Sequence, residues 1–311
     1  MLAEQDKKEI EVLALKHQDN KVLHGKIEGT LKDLELLAER YQRGLGGVNL
    51  AELSYSPEHA LEIANYRVLR CVEGVNVERI QDEYIQWLRG VAKQLNLTEA
   101  VEKYGDVLRK HYPFSLGLIK LLEKMMNRYD VPATEFVRTV IFIAADASER
   151  ALKLDPTGSY TVGVKHLTLP GVVQTKLMGE FEADWLNSVA DIEHALNRMG
   201  EDERKTAELV AKYILAKGVT SNVPSLLESR DKSIVERYGA CPEELQLEIL
   251  SSFKEGEVLG HIERLEDALN RLKAESARID VREVEGKRYY LPSLWKTVYD
   301  KLAYFVIEER K

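Results

Sequence analysis

The sequence predicts a mainly α-helical protein: a multi-helix bundle followed by a smaller helical unit that ends in a β-hairpin. Three observations carry this. Glycine (19) and proline (8) are scarce among 311 residues. Apolar residues recur at helical spacing along most of the chain, as in Leu118, Leu121, Leu122 and Met125, in Val137, Val140, Ile141 and Ala144, and in Ile262, Leu265, Leu269 and Leu272. Near the C-terminus the period changes from helical to alternating, around a Glu285-Gly286 dipeptide suited to a tight turn.

The elements follow from the punctuation. Residues 1–43 read as one or two charged helices that end at Gly44, Gly46 and Gly47. Ser56 is an N-cap with Pro57 at the first helical position and Glu58 beside the positive end of the dipole, which predicts a helix over 57–70. Further helices are predicted over 77–95, 98–110, 115–128 (after the break at Pro113) and 132–154 (opened by Pro132). Residues 155–173 are poor in charge and rich in Gly, Thr and Val, an extended connector with a short strand at 161–165. Helices resume over 174–178, 182–199 and 204–217. After a loop, Pro242 opens a helix to 253, and a long helix spans 258–278. Strands at 279–284 and 287–291 form the hairpin, and an amphipathic helix over 294–309 follows. Helix, helix, long helix, hairpin is the order of a winged helix. The expected organisation is an N-terminal helical segment (1–53), a helical domain (54–155), a connector with a helix (156–200), a winged helix (201–291) and a C-terminal helix (292–311).

Composition bounds the function. The net charge is −8, from 44 Lys and Arg against 52 Asp and Glu, which argues against coating of nucleic acid in bulk while leaving room for a local basic face. No run approaches the ~20 apolar residues of a membrane span, and the charged N-terminus is not that of a signal peptide. Two cysteines, Cys71 and Cys241, exclude a disulfide scaffold and a cysteine-rich zinc site and fit a reducing cytoplasm, the expected location. Abundant Glu, Lys and Arg with few Gln suit an archaeal or thermophilic source. The motifs of catalysis are missing. Gly25-Lys26 lacks the upstream glycine of a phosphate-binding loop, and Ile27 stands where that loop needs Ser or Thr. The glycines at 44, 46 and 47 leave Asn49 where a dinucleotide motif needs its third glycine. The histidines (17, 24, 59, 111, 166, 194 and 261) form no zinc-helix pair.

From Ser54 onward, the stretches SYSPEHALEIANYRVLR (54–70), YGDVLRKHYPFSLGLIKLLEKM (104–125), ATEFVRTVIFIAADA (133–147), HLTLPGVV (166–173) and DWLNSVADIEHAL (184–196) resemble the C-terminal half of prokaryotic AAA+ ATPases of the BREX and methylase-associated phage-defence type. The lid plus winged helix of archaeal replication-initiator AAA+ proteins is a related match. The resemblance implies an AAA+ lid-like bundle followed by a winged helix. Its P-loop core would precede residue 54 and is missing, so the chain is expected to be part of a split ATPase, a piece of a longer one, or a degenerate paralogue. It implies no cofactor on its own, and ATP only with a partner P-loop subunit. In this family the helix bearing Arg138 corresponds to the sensor-2 helix, so the resemblance places Arg138 against the γ-phosphate, with Arg128 as the fallback. A guanidinium is permanently charged and offers several donors to phosphate oxygens. The alternative is a surface arginine pairing with Thr134, Glu135 or Asp146 on its own helix.

A winged helix also admits duplex DNA as a partner, through Arg271, Lys273, Arg278, Arg282, Lys287 and Arg288. From 263 to 278 the four positive charges are balanced by Glu263, Glu266, Asp267 and Glu275, which favours a structural or protein-docking role. Tyr112-Pro113-Phe114 reads as a helix boundary with aromatics packed inside. The first function expected is therefore the non-catalytic lid and winged-helix part of an ATPase in a phage-defence or DNA-transaction assembly. The alternatives are a winged-helix DNA-binding regulator with a helical effector or dimerisation domain, and an unrelated helical scaffold.

Overall fold

The structure, a computed structural model, describes residues 61, 64–65, 76–125, 133–155, 161–173, 182–219 and 231–294, with the side chains of 124–125, 133–138, 154 and 182 excepted. These residues all lie within one compact unit, Tyr55–Lys311. The helices expected over 1–43, 174–178 and 294–309, and Arg128, lie outside the described residues. Of the helix expected over 57–70, Leu61, Ala64 and Asn65 are described, and all three are helical and buried.

The described chain is mainly helical, with a single two-stranded antiparallel sheet. Helix α1 (Val77–Gln94) is capped by the Asn76 side chain, which accepts from Arg79 N–H at 3.1 Å. It pairs with α2 (Thr98–Lys110). At the break that follows, Phe114 is fully buried and half-buried Tyr112 lies tilted against the Tyr84 ring at 5.2 Å, so the aromatics pack on the core as expected. Helix α3 (Leu116–Met125) and α4 (Ala133–Leu154) follow. The strand expected at 161–165 does not form. Val162 makes one parallel bridge to Phe114, and Val164–His166 then winds into a 3-10 turn. A single bridge satisfies Val162 because Pro113 O and Ser115 N–H take both of its polar groups.

Helices α5 (Leu169–Val173) and α6 (Glu182–Leu196) lead to α7 (Glu201–Gly218), the axis of the fold. Its first turn carries Glu201, Asp202 and Glu203 at the positive end of the dipole, while every residue from Leu209 to Gly218 is buried. A helix buried on all sides must be surrounded. It is packed by α3, α5, α6 and the 3-10 turn on the N-terminal side of the sequence, and by α9, α11 and the sheet on the other. The chain departs from the sequence reading here: α6 ends at Leu196 rather than 199, α7 starts at 201 rather than 204, and a helix α8 (Lys232–Tyr238) occupies part of the expected loop.

Helix α9 (Pro242–Ser252) begins at its proline as predicted. The helix expected over 258–278 is two helices, α10 (Glu255–Glu263) and α11 (Leu265–Ser276), broken at Arg264 and ended by Ala277 in the left-handed region at φ 52°. Strands β1 (Ile279–Val284) and β2 (Lys287–Pro292) pair from Val284↔Lys287 to Ile279↔Pro292. The two turn residues, Glu285 and Gly286, have φ 51° and 75°, the positive values that a two-residue hairpin turn requires. Ala240 bridges the other edge of β2 through Tyr290, with both hydrogen bonds at 2.8 Å. No helix of the described residues is long and apolar enough to cross a membrane.

Candidate functional site

The hairpin and the helix before it hold the cations assigned to duplex DNA, and the structure closes most of them with carboxylates. Arg271 donates to Glu203 at 2.7 Å and to Glu275 at 3.0 Å. Arg288 reaches Glu266 at 2.7 Å, and Lys287 lies 3.9 Å from Glu243. Arg282 lies 3.3 Å from Asp280 of its own strand. Arg278 departs furthest from expectation. It is buried, holds Asp191 of α6 at 2.7 Å and donates to the Leu294 carbonyl, so it ties the hairpin to α6 and has no reach to a phosphate. The cause is the left-handed turn at Ala277, which ends α11 and redirects the chain inward. Lys273 is exposed. From Glu255 to Ser276, six carboxylates stand against three cations, Arg264, Arg271 and Lys273, a balance that does not favour phosphate.

Arg138 lies on α4, one turn before Phe142. Phe142 and Leu152 of this helix are 72% and 70% exposed, and they are two of the three large apolar side chains left exposed among the described residues. A helix that buries Val140, Ile143, Ala144 and Ala147 against the bundle therefore presents a second, partly apolar face outward.

A buried polar seam that the sequence reading did not anticipate lies between the bundle and the C-terminal helices. Glu244 of α9, nearly fully buried, accepts from Lys217 Nζ at 2.6 Å, from Tyr104 Oη at 2.7 Å and from Cys241 N–H at 3.2 Å. Burial opposes its ionisation, but the Lys217 ammonium, with help from Tyr104 and Cys241, outweighs that and holds the carboxyl below its ordinary range. A cleft of about 300 Å³ opens beside this pair, also lined by Lys120, Glu123, Glu236 and Arg237. Lys120 and Glu123 pair with each other at 3.2 Å. One turn along α9, Glu248 is fully buried.

A second cluster surrounds His166. Its Nδ1 accepts from Gly163 N–H at 3.1 Å, and its Nε2 lies 3.8 Å from Asp155, which also takes Lys165 at 2.6 Å. Burial pushes His166 down to about 4, so the ring is neutral near pH 7. Buried Lys212 donates to Glu208 at 2.6 Å and to the Lys165 carbonyl at 3.1 Å. Cys241 is a poor nucleophile, since burial first, and then Glu244, push its thiol up to about 12. Among the described residues no group of three His, Cys, Asp or Glu is placed to hold a metal ion. These polar clusters hold helices together and engage their own charges.

The chain is thus a helical protein with a hairpin-ended C-terminal unit. Comparison with family models, curated proteins and solved structures finds no match to it.

Proposed function

We propose that this chain is the non-catalytic lid and winged-helix part of an ATP-driven assembly, that it docks to a P-loop ATPase subunit through α4, and that its hairpin unit serves protein contacts rather than DNA reading. The observation that carries the proposal is the outward face of α4, where Phe142 and Leu152 stand exposed on the helix that also bears Arg138. Phe142 and Leu152 lie about 15 Å apart along one side of the helix, a span that a partner helix can cover, and an arginine one turn before Phe142 suits a partner's phosphate. The order α7, Ala240 bridge, α9, α10, α11, hairpin supports the winged-helix reading, because the bridge supplies the short third strand of that fold. The pairing of Arg271, Arg282 and Arg288 with carboxylates, and the burial of Arg278, favour protein docking.

The test is a search of the neighbouring genes for a P-loop ATPase and co-expression of this chain with it; finding none there would count against the proposal. The pair is expected to co-purify and to hydrolyse ATP, and Phe142→Glu is expected to separate them. Arg138→Ala should leave the complex and its melting intact while lowering turnover about tenfold or more, the loss expected for one charge-assisted contact of roughly 1.5–3 kcal/mol. Equal turnover of the two complexes would remove Arg138 from the reaction.

DNA binding gives an independent outcome. A fluorescent 30-base-pair duplex at physiological salt should bind more weakly than about 10 µM, within the non-specific range. Lys287→Glu with Arg288→Glu should change that little. Tight binding abolished by this pair of changes would establish the DNA-binding regulator instead.

A further inference from the structure

Three chain segments meet at Glu248. Its Oε1 accepts from Ser115 Oγ at 2.7 Å and its Oε2 from Gly117 N–H at 2.8 Å, both at the start of α3. Gly163 approaches from the third segment. A Cβ there would lie 3.3 Å from Oε1 and 2.4 Å from Ser115 Oγ, and a Cβ at Gly117 would lie 3.0 Å from Oε1. Glycine at both positions lets the backbone close over the carboxyl group. Segment 161–166 is tied on both sides of this point. Val162 exchanges hydrogen bonds with Pro113 O and Ser115 N–H, at 2.7 and 2.9 Å. Thr161 Oγ1 donates to Ser251 O at 3.0 Å and Lys165 Nζ to Ser252 O at 3.1 Å, at the end of α9.

The cradle supplies hydrogen bonds but, among the described residues, no cation paired with Glu248. An ionised carboxylate buried in this way is costly unless a counter-charge accompanies it. The groups facing it do not provide one. Tyr84 of α1 and Tyr213 of α7 are buried phenols whose own ionisation is strongly opposed by burial. Glu244, one turn earlier on α9, carries its own negative charge and already holds Lys217. His166, whose ring accepts from Gly163, is neutral.

We propose that Glu248 is a proton-controlled latch: with its carboxyl neutral, segment 161–166 and the start of α3 clamp against α9, and with its carboxyl ionised the three-way joint loosens. Burial pushes the group up to about 7, with Ser115, Gly117 and Ser252 working the other way. An acid whose folded value is raised contributes stability that is fully present below its unfolded value, near 4.5, and is lost as pH rises through about 7. The joint therefore tightens on acidification across neutrality.

Carbon-13 NMR of the glutamate carboxyls and thermal unfolding from pH 5 to 8.5 test this on the full chain, as wild type and as Glu248→Gln. One glutamate signal, absent from the variant, should titrate about two pH units above the others. The wild-type melting temperature should fall across this window relative to a flat or flatter Glu248→Gln profile. Amide exchange of Val162, corrected for intrinsic base catalysis, should accelerate between pH 6 and 8 in wild type alone. A Glu248 carboxyl titrating near 4.5, or the same pH slope in both proteins, would overturn the latch. If Glu248→Gln fails to fold, the carboxyl titration and the Val162 exchange in wild type decide the question alone.

Discussion

Lys217→Met is expected to cost about 3–5 kcal/mol of stability, because it leaves a buried carboxylate without its counter-ion. The Lys217 and Glu244 side chains are 5% and 4% exposed and 2.6 Å apart. With the ammonium gone, only Tyr104 Oη and Cys241 N–H remain on Glu244. Two neutral donors do not replace a full charge in a low-dielectric site, so the carboxyl must take up a proton or the site must open to water. Glu244 would then behave as Glu248 does now. In wild type its lowered value contributes stability above about 4.5 that is lost as pH falls through the folded value. In Lys217→Met that acid-side loss should disappear. Adding Glu244→Leu should restore most of the stability, since an apolar replacement of a buried pair is often neutral. Urea denaturation of the two single variants and the double variant gives the coupling. A Lys217→Met loss below about 1 kcal/mol would place the pair in solvent.

Much of the fold was legible because local signals fix helix ends. Pro242, Ser115 and Pro132 mark starts that the structure places within one residue, and the Glu285-Gly286 turn pairs the strands in the expected register. Helix α8 was missed although Asp231 announces it, its carboxylate accepting from the Ser233 and Ile234 amides. The break at Arg264 was hidden for another reason: the apolar stripe Val258, Ile262, Leu265, Leu269, Leu272 keeps helical spacing straight through it.

The buried seam was illegible in principle. Glu244 and Glu248 stand four apart in PEELQLEILSS, which on an isolated helix is a solvated acidic face. What buries them is remote: Lys217 is 27 residues away, Gly117 is 131 and Tyr104 is 140. No sequence window contains both halves. The one local hint is that Leu245, Leu247, Ile249 and Leu250 flank the two acids on both sides, leaving the helix no clean polar face. The carboxylate partners of the cations expected on the DNA face were hidden for a related reason: Glu203, Glu243, Glu266 and Asp191 come from other elements.

Leu269→Ala should cost about 2–5 kcal/mol, through lost burial and the cavity left behind. Leu269 is 1% exposed, between Leu265 at 5% and Leu272 at 0%, on the face of α11 that meets α7 and α6. Because α7 is itself buried on all sides, the space left by the removed methyl groups can collapse only by shifting the central helix, which favours the upper part of that range. Leu259, in α10 before the break, is 54% exposed, and Leu259→Ala should change stability by no more than about 0.5 kcal/mol. The contrast tests the orientation of both helices at once. If α10 were rolled inward, Leu259 would carry the larger loss. If α11 faced solvent, both variants would melt with wild type, and β1, which packs on α11, would lose the surface that supports the hairpin. Chemical denaturation of the two variants side by side, with unchanged dependence on denaturant, separates these outcomes.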